Sequence, residues 1–431
     1  MTITPIFFEG DSMKKGKTGL TTKIFIALIT GAVTGVILNL VSDFDTTGII
    51  DTWFVNGLFA LLGKMFISAI MMLVVPLVLT SLICGSAGIE DIRKLGRVGI
   101  KTLVFYISTT SIAIALALMI SFITRPGIGF SIADNGASFD TQDAPGFVET
   151  ISSIIPANPF TAFAEGRMLQ VIFFALLFGF AMSMLGDKVG TVRKGMEELN
   201  EIVMKMVVMI MHTAPYGVFA LIANVFAREG FGAFLPLIKY FLTVMAVLCI
   251  HFAFIYGSAL KFIGKLSPIV FLKKFYPTML VAFSTASSNA TLPVTMETAE
   301  KEMGVSNKIA SFTLPLGATI NMDGTAIMQG VAVVFIAQAY SIELTFVNIL
   351  TVILTATLAS IGTAGVPSVG LITLAMVLRQ VNLPVEGIAL IMGIDRILDM
   401  TRTAVNISGD TIGSIIIAKS EGELDQSVFN Q

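Results

Sequence analysis

The last apolar segment of the chain, Ile391–Ala418, carries charged residues at a density unusual for a membrane helix. Five polar residues recur at i, i+3, i+4, i+7 and i+11, which an α-helix turning by about 100° per residue aligns on one face. Each charge near the bilayer centre costs about 2.5–3.5 kcal/mol, so three of them cost roughly 8–10 kcal/mol, a cost unexpected for a pure packing element. We therefore predict a helix face that binds a charged, zwitterionic solute and cations, formed by Asp399, Arg402, Thr403, Asn406 and Asp410.

Arg402 and Asp399 indicate which class of solute this face suits. A planar guanidinium pairs with a carboxylate through two parallel hydrogen bonds, which a lysine does not reproduce as well. Asp399, one turn earlier, suits an ammonium group. The alternative is a packing pair in which the two residues neutralise each other, but that pair leaves Asp410 without an obvious partner. The pattern therefore favours an amino acid with a carboxylate in its side chain.

The composition indicates an integral membrane protein. Of the 431 residues, 55% are apolar and only 13% are charged, whereas soluble domains carry about 25% charged residues. The net charge of -2 gives no indication of nucleic-acid binding. Cys84 and Cys249 lie apart in apolar runs, so we predict neither a disulfide nor a thiol metal site. His212 and His251, the only histidines, are interpreted as helix-packing residues, so histidine-based catalysis is poorly supplied.

Six apolar segments precede the C-terminal third, and each is long enough to cross a bilayer. The basic clusters between them fall on one side if successive segments alternate in direction, whereas Ser42–Asp51 contains three aspartates and no lysine or arginine. Cytoplasmic loops carry the excess of lysine and arginine, so we predict a cytoplasmic N terminus. The segments are Ile24–Val41, Phe54–Leu82, Leu103–Ile123, Leu169–Leu185, Ile202–Ala227 and Phe234–Leu260.

Three later segments, Phe271–Met296, Ile309–Tyr340 and Phe346–Val377, are apolar but interrupted by small and polar residues. Irregular backbone at membrane depth is tolerated where it is buried in protein or lines a cavity. We interpret the first and third segments as re-entrant helical hairpins, whose tips present helix N-termini suited to a carboxylate. Each hairpin precedes a long helix with a polar centre, and such paired interruptions are typical of inverted-repeat transporters.

The second interrupted segment contains a candidate cation site at Asn321–Thr325. One unwound turn there offers a carboxylate, an amide and carbonyl oxygens, which small hard cations prefer as ligands. Asn406 and Asp410, four residues apart, offer a second facing pair. Because neither set contains a thiol or an imidazole, we predict a sodium ion or a proton rather than a transition metal.

Four motifs in order resemble the dicarboxylate/amino acid:cation symporter family, which includes archaeal aspartate transporters and excitatory amino-acid transporters. They are Ser287–Pro293 (SSNATLP), Asn321–Thr325 (NMDGT), Gly362–Pro367 (GTAGVP) and Asp399–Asp410 (DMTRTAVNISGD). The resemblance covers Lys17 to Lys419 and is weakest at 126–160.

The resemblance implies an all-α integral membrane protein with eight transmembrane helices and two re-entrant helical hairpins, arranged as inverted repeats in a homotrimer. A transport domain would slide past a scaffold as a rigid body, the elevator form of alternating access. Both termini would be cytoplasmic, in a multi-pass protein of the plasma membrane, which is the cell inner membrane in many bacteria. The scaffold would comprise residues 17–90 and 125–228, and the transport domain 98–124 and 233–419, with the hairpins at 267–303 and 344–380.

The resemblance also implies a role for individual residues. Arg402 would hold the side-chain carboxylate of the solute, with Thr325 beside it, and Asp399 and Thr403 would hold the amino group. The main-chain carboxylate would bind Asn406 and the hairpin backbone, and backbone at two further positions would close the site. The full substrate set is Ser287, Ser288, Thr325, Val366, Gly370, Asp399, Arg402, Thr403 and Asn406.

About three sodium ions per cycle are implied in the same way. The first would bind at Gly317, Asn321, Asn406 and Asp410, the second at Thr319, Ser360, Ile361 and Thr363, and the third at Tyr106, Thr109, Thr110, Asn321 and Asp323.

The chain departs from the family pattern at three positions. Ala286 stands where archaeal members carry an arginine, and Met400 stands where vertebrate members carry one. Arg396 would either substitute for one of these arginines or extend to the membrane surface. Gln329 stands where proton-coupled vertebrate members have a glutamate, which argues against proton coupling at that position.

We therefore expect sodium-coupled uptake of aspartate or glutamate and no enzymatic activity. A proton-coupled glutamate symporter or a C4-dicarboxylate symporter is the alternative within the family. An anion channel or a membrane-embedded enzyme is the alternative from a different class, but no motif supplies the nucleophile and base that an enzyme would need.

Overall fold

The computed structural model describes residues 20–41, 48, 51–87, 92–129, 154–360 and 369–430. Within these ranges the regular structure is helical, apart from one isolated antiparallel bridge between Val305 and Leu424. Six helical stretches of the described chain are long and apolar enough to cross a membrane, so the prediction of an all-α integral membrane protein is confirmed. They are Thr22–Val41, Asp51–Ala87, Arg97–Thr124, Leu169–Met211, Gly230–Ile263 and Asn307–Ala339.

The helices of the N-terminal half are α1 (Leu20–Val41), α2 (Ala60–Ala87), α3 (Ile92–Thr124), α4 (Pro159–Glu165), α5 (Met168–Leu185), α6 (Gly190–Met211) and α7 (Ala214–Glu229). A π-helical stretch, Asp51–Phe59, leads into α2. Helices α1, α2, α5, α6 and α7 pack against one another, whereas α3 packs mainly against the C-terminal half. The fifth predicted span is divided between α6 and α7, because Pro215 lies in the first turn of α7.

Two glycines allow α1 and α7 to approach closely. A Cβ atom at Gly31 would lie 2.8 Å from the carbonyl oxygen of Phe219, and one at Gly35 would lie 2.6 Å from that of Ala223. Small residues at helix interfaces let backbones come together in this way, and packing of this kind holds membrane helices together. The pairing of Gly31 with Phe219 and of Gly35 with Ala223 also shows that the two helices run parallel.

The helices of the C-terminal half are α8 (Phe234–Ile250), α9 (Pro268–Thr285), α10 (Ser288–Lys301), α11 (Asn307–Ile320), α12 (Asp323–Ala339), α13 (Phe346–Ser360), α14 (Val369–Gln380), α15 (Ile388–Glu421) and α16 (Gln426–Asn430). Helix α8 continues through π-helical stretches at His251–Tyr256 and Ala259–Ile263. Helix α15 lies at the centre of this half: it packs against α3, α8, α9, α11 and α12, and it is buried over most of its length.

The first predicted hairpin is formed by α9 and α10, which pack against each other. The chain reverses at Ala286, whose φ of 50° places it in the left-handed region. Ser287 follows in an extended conformation and caps α10, because its Oγ accepts a hydrogen bond from the N–H of Ala290 at 3.2 Å. The interruption predicted within Phe271–Met296 is therefore a turn of two residues, Ala286 and Ser287.

The second interrupted segment, Ile309–Tyr340, breaks between α11 and α12. Asn321 is extended, with φ -91° and ψ 93°, and α12 begins at Asp323. The break is narrower than the predicted Asn321–Thr325, because Gly324 and Thr325 are already helical. A cross-helix bond explains this, since the N–H of Gly324 donates to Asn406 Oδ1 at 2.7 Å and supplies an acceptor for the first turn of α12.

Helices α13 and α14 lie on either side of the second predicted hairpin tip and pack against each other. The tip itself, residues 361–368, lies outside the described residues. The predicted roles of Ile361, Thr363 and Val366 fall in this range.

The C-terminal tail folds back onto the base of the first hairpin. Helix α15 ends at Gly422, whose φ is 74°. The N–H of Asp425 then donates to the carbonyl oxygen of Gly304 at 2.8 Å, and the N–H of Ser306 donates to that of Glu423 at 3.0 Å. Phe429 of α16 is fully buried, so the tail is packed as part of the fold.

Candidate functional site

Arg402 is the most deeply buried charge of the predicted polar face, with a side chain only 1% exposed. Its Nη1 donates to Asp395 Oδ1 and its Nη2 to Asp399 Oδ1, each at 2.8 Å. Its Nε is buried and has no hydrogen-bond partner among the described residues. The guanidinium is therefore held on two sides while one of its N–H groups still lacks an acceptor.

Arg396 adds a second cation to this cluster. Its Nη1 lies 3.6 Å from Asp399 Oδ2, and its side chain is 19% exposed. Residues three apart are neighbours on a helix surface, so this contact follows from the spacing. Arg396 thus contacts Asp399 of the predicted polar face, an outcome the sequence left open. Two arginines and two aspartates, Asp395 and Asp399, meet within two turns of α15, and their formal charges cancel.

The helix after the second hairpin tip lies against the guanidinium. A Cβ atom at Gly370 would lie 3.1 Å from Thr325 Cγ2 and 3.4 Å from Arg402 Nη2. Thr325, at the start of α12, and Thr403, next to Arg402, are both buried. The structure therefore places Thr325 and Gly370 close to Arg402, which contacts Asp399, and Thr403 follows Arg402 on α15. The Oγ1 of Thr403 donates to the carbonyl oxygen of Asp399 at 2.8 Å, so its proton is used within α15.

The first hairpin tip belongs to the same half of the molecule. Ser287 and Ser288 are buried at the start of α10. Both α9 and α10 pack against α15. Helix N-termini in general carry free N–H groups and a partial positive charge that suit a carboxylate, and at α10 Ser287 Oγ already accepts from the N–H of Ala290.

Asn406 connects the polar face of α15 to the break between α11 and α12. Its Oδ1 accepts from the N–H of Gly324, and its Nδ2 lies 3.3 Å from Met322 Sδ. Its carbonyl oxygen accepts from Asn321 Nδ2 at 3.2 Å. Both ends of the amide are therefore in contact with the break between α11 and α12.

The four residues predicted for the first sodium ion lie together. Asn321 Nδ2 donates to Asp410 Oδ1 at 2.9 Å, and a Cβ atom at Gly317 would lie 2.6 Å from the same oxygen. The Oδ1 of Asn321 is buried without a hydrogen-bond partner in the described part of the chain. A carboxylate, an unpartnered amide oxygen and the carbonyl of Asn406 form an oxygen-rich donor set that fits a small hard cation.

Of the residues predicted for the third sodium ion, Asp323 is fully buried and contacts Thr110. Thr110 Oγ1 donates to Asp323 Oδ1. Tyr106 is directed elsewhere: its hydroxyl lies 3.2 Å from the carbonyl oxygen of Thr313 and 3.3 Å from that of Asp410, so it borders the first set. Thr109 Oγ1 donates to the carbonyl oxygen of Tyr106 at 3.1 Å, within α3.

Two partners of Asp323 were not predicted. His251 Nε2 lies 3.0 Å from Asp323 Oδ2, and the hydroxyl of Tyr256 donates to the same oxygen at 2.8 Å. His251 is thus more than the helix-packing residue that the sequence suggested. The missed signal is a spacing of five residues, because a π-helix, unlike an α-helix, closes on i and i+5.

Only two members of the predicted second sodium set, Thr319 and Ser360, lie among the described residues. Thr319 Oγ1 donates to the carbonyl oxygen of Leu316 at 2.9 Å, and Ser360 Oγ donates to that of Thr357 at 2.7 Å. Both hydroxyls therefore bond their own helices, and the other two members lie at 361–368, outside the described residues.

Gln329, one of the departures from the family pattern, joins two helices of the site. Its Nε2 donates to Thr373 Oγ1 at 2.8 Å, which connects α12 to α14. In the part of the chain that the structure describes, no three His, Cys, Asp or Glu side chains come together in a way that could hold a metal ion. The candidate ion sites depend instead on single carboxylates with amide and carbonyl oxygens, which suits a monovalent ion.

Sequence comparisons find similar proteins over nearly the whole chain. The profile of the sodium:dicarboxylate symporter family matches residues 20–420. The proton/glutamate-aspartate symporter of Escherichia coli (strain K12) is 36% identical, over 96% of this chain and 95% of the relative. The proton/sodium-glutamate symport protein of Geobacillus stearothermophilus is 35% identical, over 96% and 97%. The C4-dicarboxylate transport protein of Anaeromyxobacter sp. (strain K) is 33% identical, over 96% and 92%.

Proposed function

The chain belongs to the sodium:dicarboxylate symporter family, and from that premise we propose that it is a secondary active symporter that takes up L-aspartate or L-glutamate with sodium ions. The observation that carries the proposal is the state of Arg402, whose Nε is buried and lacks an acceptor among the described residues. A buried donor left unsatisfied costs about 1–3 kcal/mol. A carboxylate on the solute would remove this cost.

The solute binds along the polar face of α15. Its side-chain carboxylate pairs with Arg402 beside Thr325, and its ammonium group lies at Asp399 and Thr403. Its main-chain carboxylate lies at Asn406 and the N-terminus of α10, at Ser287 and Ser288. Backbone at Val366 and Gly370 closes the site. The proximity of Gly370 to both Thr325 and Arg402 supports this arrangement.

Sodium ions bind beneath the solute, and three per cycle is the proposed stoichiometry. The unpartnered Oδ1 of Asn321 beside Asp410 supports the first position. The carboxylate of Asp323 with Thr110 supports another. The remaining position uses Thr319, Ser360, Ile361 and Thr363. The ions at Asp410 and at Asp323 each add a positive charge next to a buried carboxylate, and binding of solute and of ions is then mutually favourable.

The transport cycle moves one part of the protein past the other. We assign residues 17–90 and 125–228 to a trimeric scaffold, and residues 98–124 and 233–419 to a transport domain that moves as an elevator. The packing of α1, α2, α5, α6 and α7 against one another, and of α15 against α3, α8, α9, α11 and α12, supports this division. The chain crosses a bacterial-type inner membrane eight times, and both termini lie on its cytoplasmic side.

The direct test is uptake by purified protein in liposomes, with imposed sodium or proton gradients. We expect an inward sodium gradient to drive accumulation of radiolabelled L-aspartate or L-glutamate, and radiolabelled succinate to accumulate much less. Uptake driven by a proton gradient alone, with no effect of sodium, would contradict the proposed coupling. Flux that neither saturates nor depends on an ion gradient would indicate a channel.

A second candidate function is symport of glutamate with protons, or of a C4-dicarboxylate. The similarity to proteins described by those names favours it. Replacing Asp399 separates the possibilities, because a dicarboxylate without an ammonium group does not need this aspartate. Succinate uptake that survives Asp399→Asn would favour a dicarboxylate carrier, whereas loss of aspartate uptake in the same variant would favour the amino-acid carrier.

A further inference from the structure

Asp395 forms half of the ionic environment of Arg402, although no role was predicted for it. Its carboxylate is 3% exposed and accepts from Arg402 Nη1, opposite the Asp399 carboxylate on Nη2. Asp395 and Arg402 are seven positions apart in the sequence, so two turns of helix place both on the same face. Asp395 therefore touches the group that recognises the solute carboxylate, without lying at the proposed position of the solute ammonium.

The formal charge of this cluster is balanced before any solute binds. Asp395 and Asp399 contribute two negative charges, and Arg396 and Arg402 contribute two positive charges. Aspartate or glutamate brings a net charge of minus one, because its ammonium group offsets one of its two carboxylates. A C4-dicarboxylate such as succinate brings minus two, with no ammonium group to face Asp399.

We propose that Asp395 is a specificity-determining residue that limits the negative charge the site accepts, and thereby selects acidic amino acids over dicarboxylates. This inference rests on the proposed function. The carboxylate of Asp395 cancels positive charge on Arg402 from the side away from Asp399. A dianion then meets a neutral cluster that includes two buried carboxylates, whereas an amino acid places its own ammonium group beside one of them.

The test compares the affinities of two solutes in a variant that changes charge at nearly constant shape. Purified wild-type protein and Asp395→Asn are titrated with L-aspartate and with succinate at saturating sodium. The amide oxygen of asparagine still accepts a bond from Arg402 Nη1, while one negative charge is lost. Because charges a few ångströms apart interact strongly in a buried site, we expect the affinity ratio to shift towards succinate by about tenfold or more.

Two further variants separate charge from shape. Asp395→Glu keeps the charge, so we expect its affinity ratio to remain within about threefold of the wild-type ratio, even if both affinities fall. Arg396→Gln removes a positive charge from the same cluster, so its ratio should shift the opposite way, towards L-aspartate. The opposite-sign variant tests the inference even if Asp395→Asn does not fold.

The outcomes of these titrations distinguish a failure of the inference from a failure of the proposed function. The inference is overturned if Asp395→Asn weakens both solutes equally, if Asp395→Glu shifts the ratio as far as Asp395→Asn, or if Arg396→Gln shifts it towards succinate. If wild-type protein binds neither solute, the proposed function is wrong and the inference falls with it. If wild-type protein binds L-aspartate but the ratio is the same in every variant, the inference alone is wrong.

Discussion

The guanidinium of Arg402 is held by two carboxylates of its own helix, at Asp395 and Asp399. This arrangement fixes the direction of its N–H groups before a solute arrives, so little side-chain entropy is lost on binding. It also lowers the cost of burying the charge, because paired and hydrogen-bonded ions are the ones a low-dielectric site tolerates. In the proposed function, recognition of the solute by Arg402 would therefore depend on geometry as much as on charge.

Replacing Arg402 by lysine tests that dependence. The lysine ammonium keeps the positive charge but lacks the planar fork, so a bidentate contact with the solute carboxylate is lost. We expect binding of L-aspartate to weaken by about 2–5 kcal/mol, the range for breaking a buried, hydrogen-bonded charge pair. Isothermal titration of purified protein measures this change. The neighbouring Thr401→Ala is a matched control, since Thr401 Oγ1 is exposed and bonds only within α15. Unchanged binding in Arg402→Lys would contradict the assignment.

In the proposed function, Asp410 affects solute binding through the sodium ions. In Asp410→Asn, the Nδ2 group of Asn321 can still donate to a neutral amide oxygen at position 410. The loss of the negative charge should weaken the binding of a nearby cation. We expect the sodium concentration for half-maximal solute binding to rise by about tenfold or more. Ser408→Ala is the control, because Ser408 is also buried on α15 but its hydroxyl bonds the carbonyl oxygen of Ala404. A sodium dependence identical to wild type would remove Asp410 from the ion site.

At the scale of elements, function depends on where helices break. The chain interrupts α9–α10 at Ala286 and α11–α12 at Asn321, and a helix end lacks intrahelical partners for some of its backbone groups. Elsewhere, helices must approach closely enough to hold these breaks in place. The contact of α1 with α7, built on Gly31 and Gly35, is the clearest case of such an approach in the N-terminal half.

A side chain at Gly35 should separate those two helices. A Cβ atom there would lie 2.6 Å from the carbonyl oxygen of Ala223 and 2.7 Å from Phe226 Cβ. We expect Gly35→Ala to destabilise the protein by about 1–3 kcal/mol, as overpacking typically does. A thermal unfolding series in detergent measures it. Gly195→Ala is the control, since Gly195 is also helical and a Cβ there meets nothing within 4 Å. Equal stability of the two variants would show that α1 can move away without cost.

Helix positions and breaks could be predicted because they depend on local patterns. The polar face of α15, the tip at Ser287 and the break at Asn321 each follow from spacing or from small residues in an apolar run. The family assignment is confirmed by the match over residues 20–420. The contacts of His251 and Tyr256 with Asp323 could not be predicted, because they need both a π-helical stretch and the packing of α8 against α12. The contact of Asp395 with Arg402 was not predicted, because Asp399, only three positions from Arg402, already offers a partner on the same helical face.

At the scale of the whole molecule, the C-terminal tail joins distant parts of the chain. Lys274 of the first hairpin donates to the carbonyl oxygen of Val428 at 2.7 Å. Glu421, at the end of α15, accepts from Lys101 and from Arg97 of α3, each at 2.6 Å. The tail thus contacts the first hairpin and the end of α15 contacts α3, so these parts of the chain are held in one arrangement.

Acid should loosen this tail. Hydrogen bonds from Lys101 and Arg97 hold the pKa of Glu421 below its usual value, and the Lys308 ammonium and Ser427 do the same for Glu423 and Asp425. A carboxyl group with a lowered pKa in the folded state stabilises the fold above its unfolded pKa, and that contribution is lost as pH falls through the folded value. We expect the protection of residues 422–430 against hydrogen exchange, measured relative to the intrinsic rate at each pH, to fall below about pH 4.

The control for this measurement is Glu421→Gln, which removes one of the three carboxyl groups. We expect lower protection of the tail already at neutral pH and a smaller further loss of protection on acidification. Protection of the tail that stays constant from neutral pH down to about pH 3 would contradict the ionic account.

The bridge between Val305 and Leu424 brings the two ends of a long stretch of chain side by side, and that stretch contains α11 to α15. Mechanical load applied at the C terminus would be borne first by this junction and by the buried ring of Phe429, before any strain reached Arg402. A fluorophore or fusion partner attached there would therefore report the displacement of the base of the first hairpin, rather than motion of a free chain end.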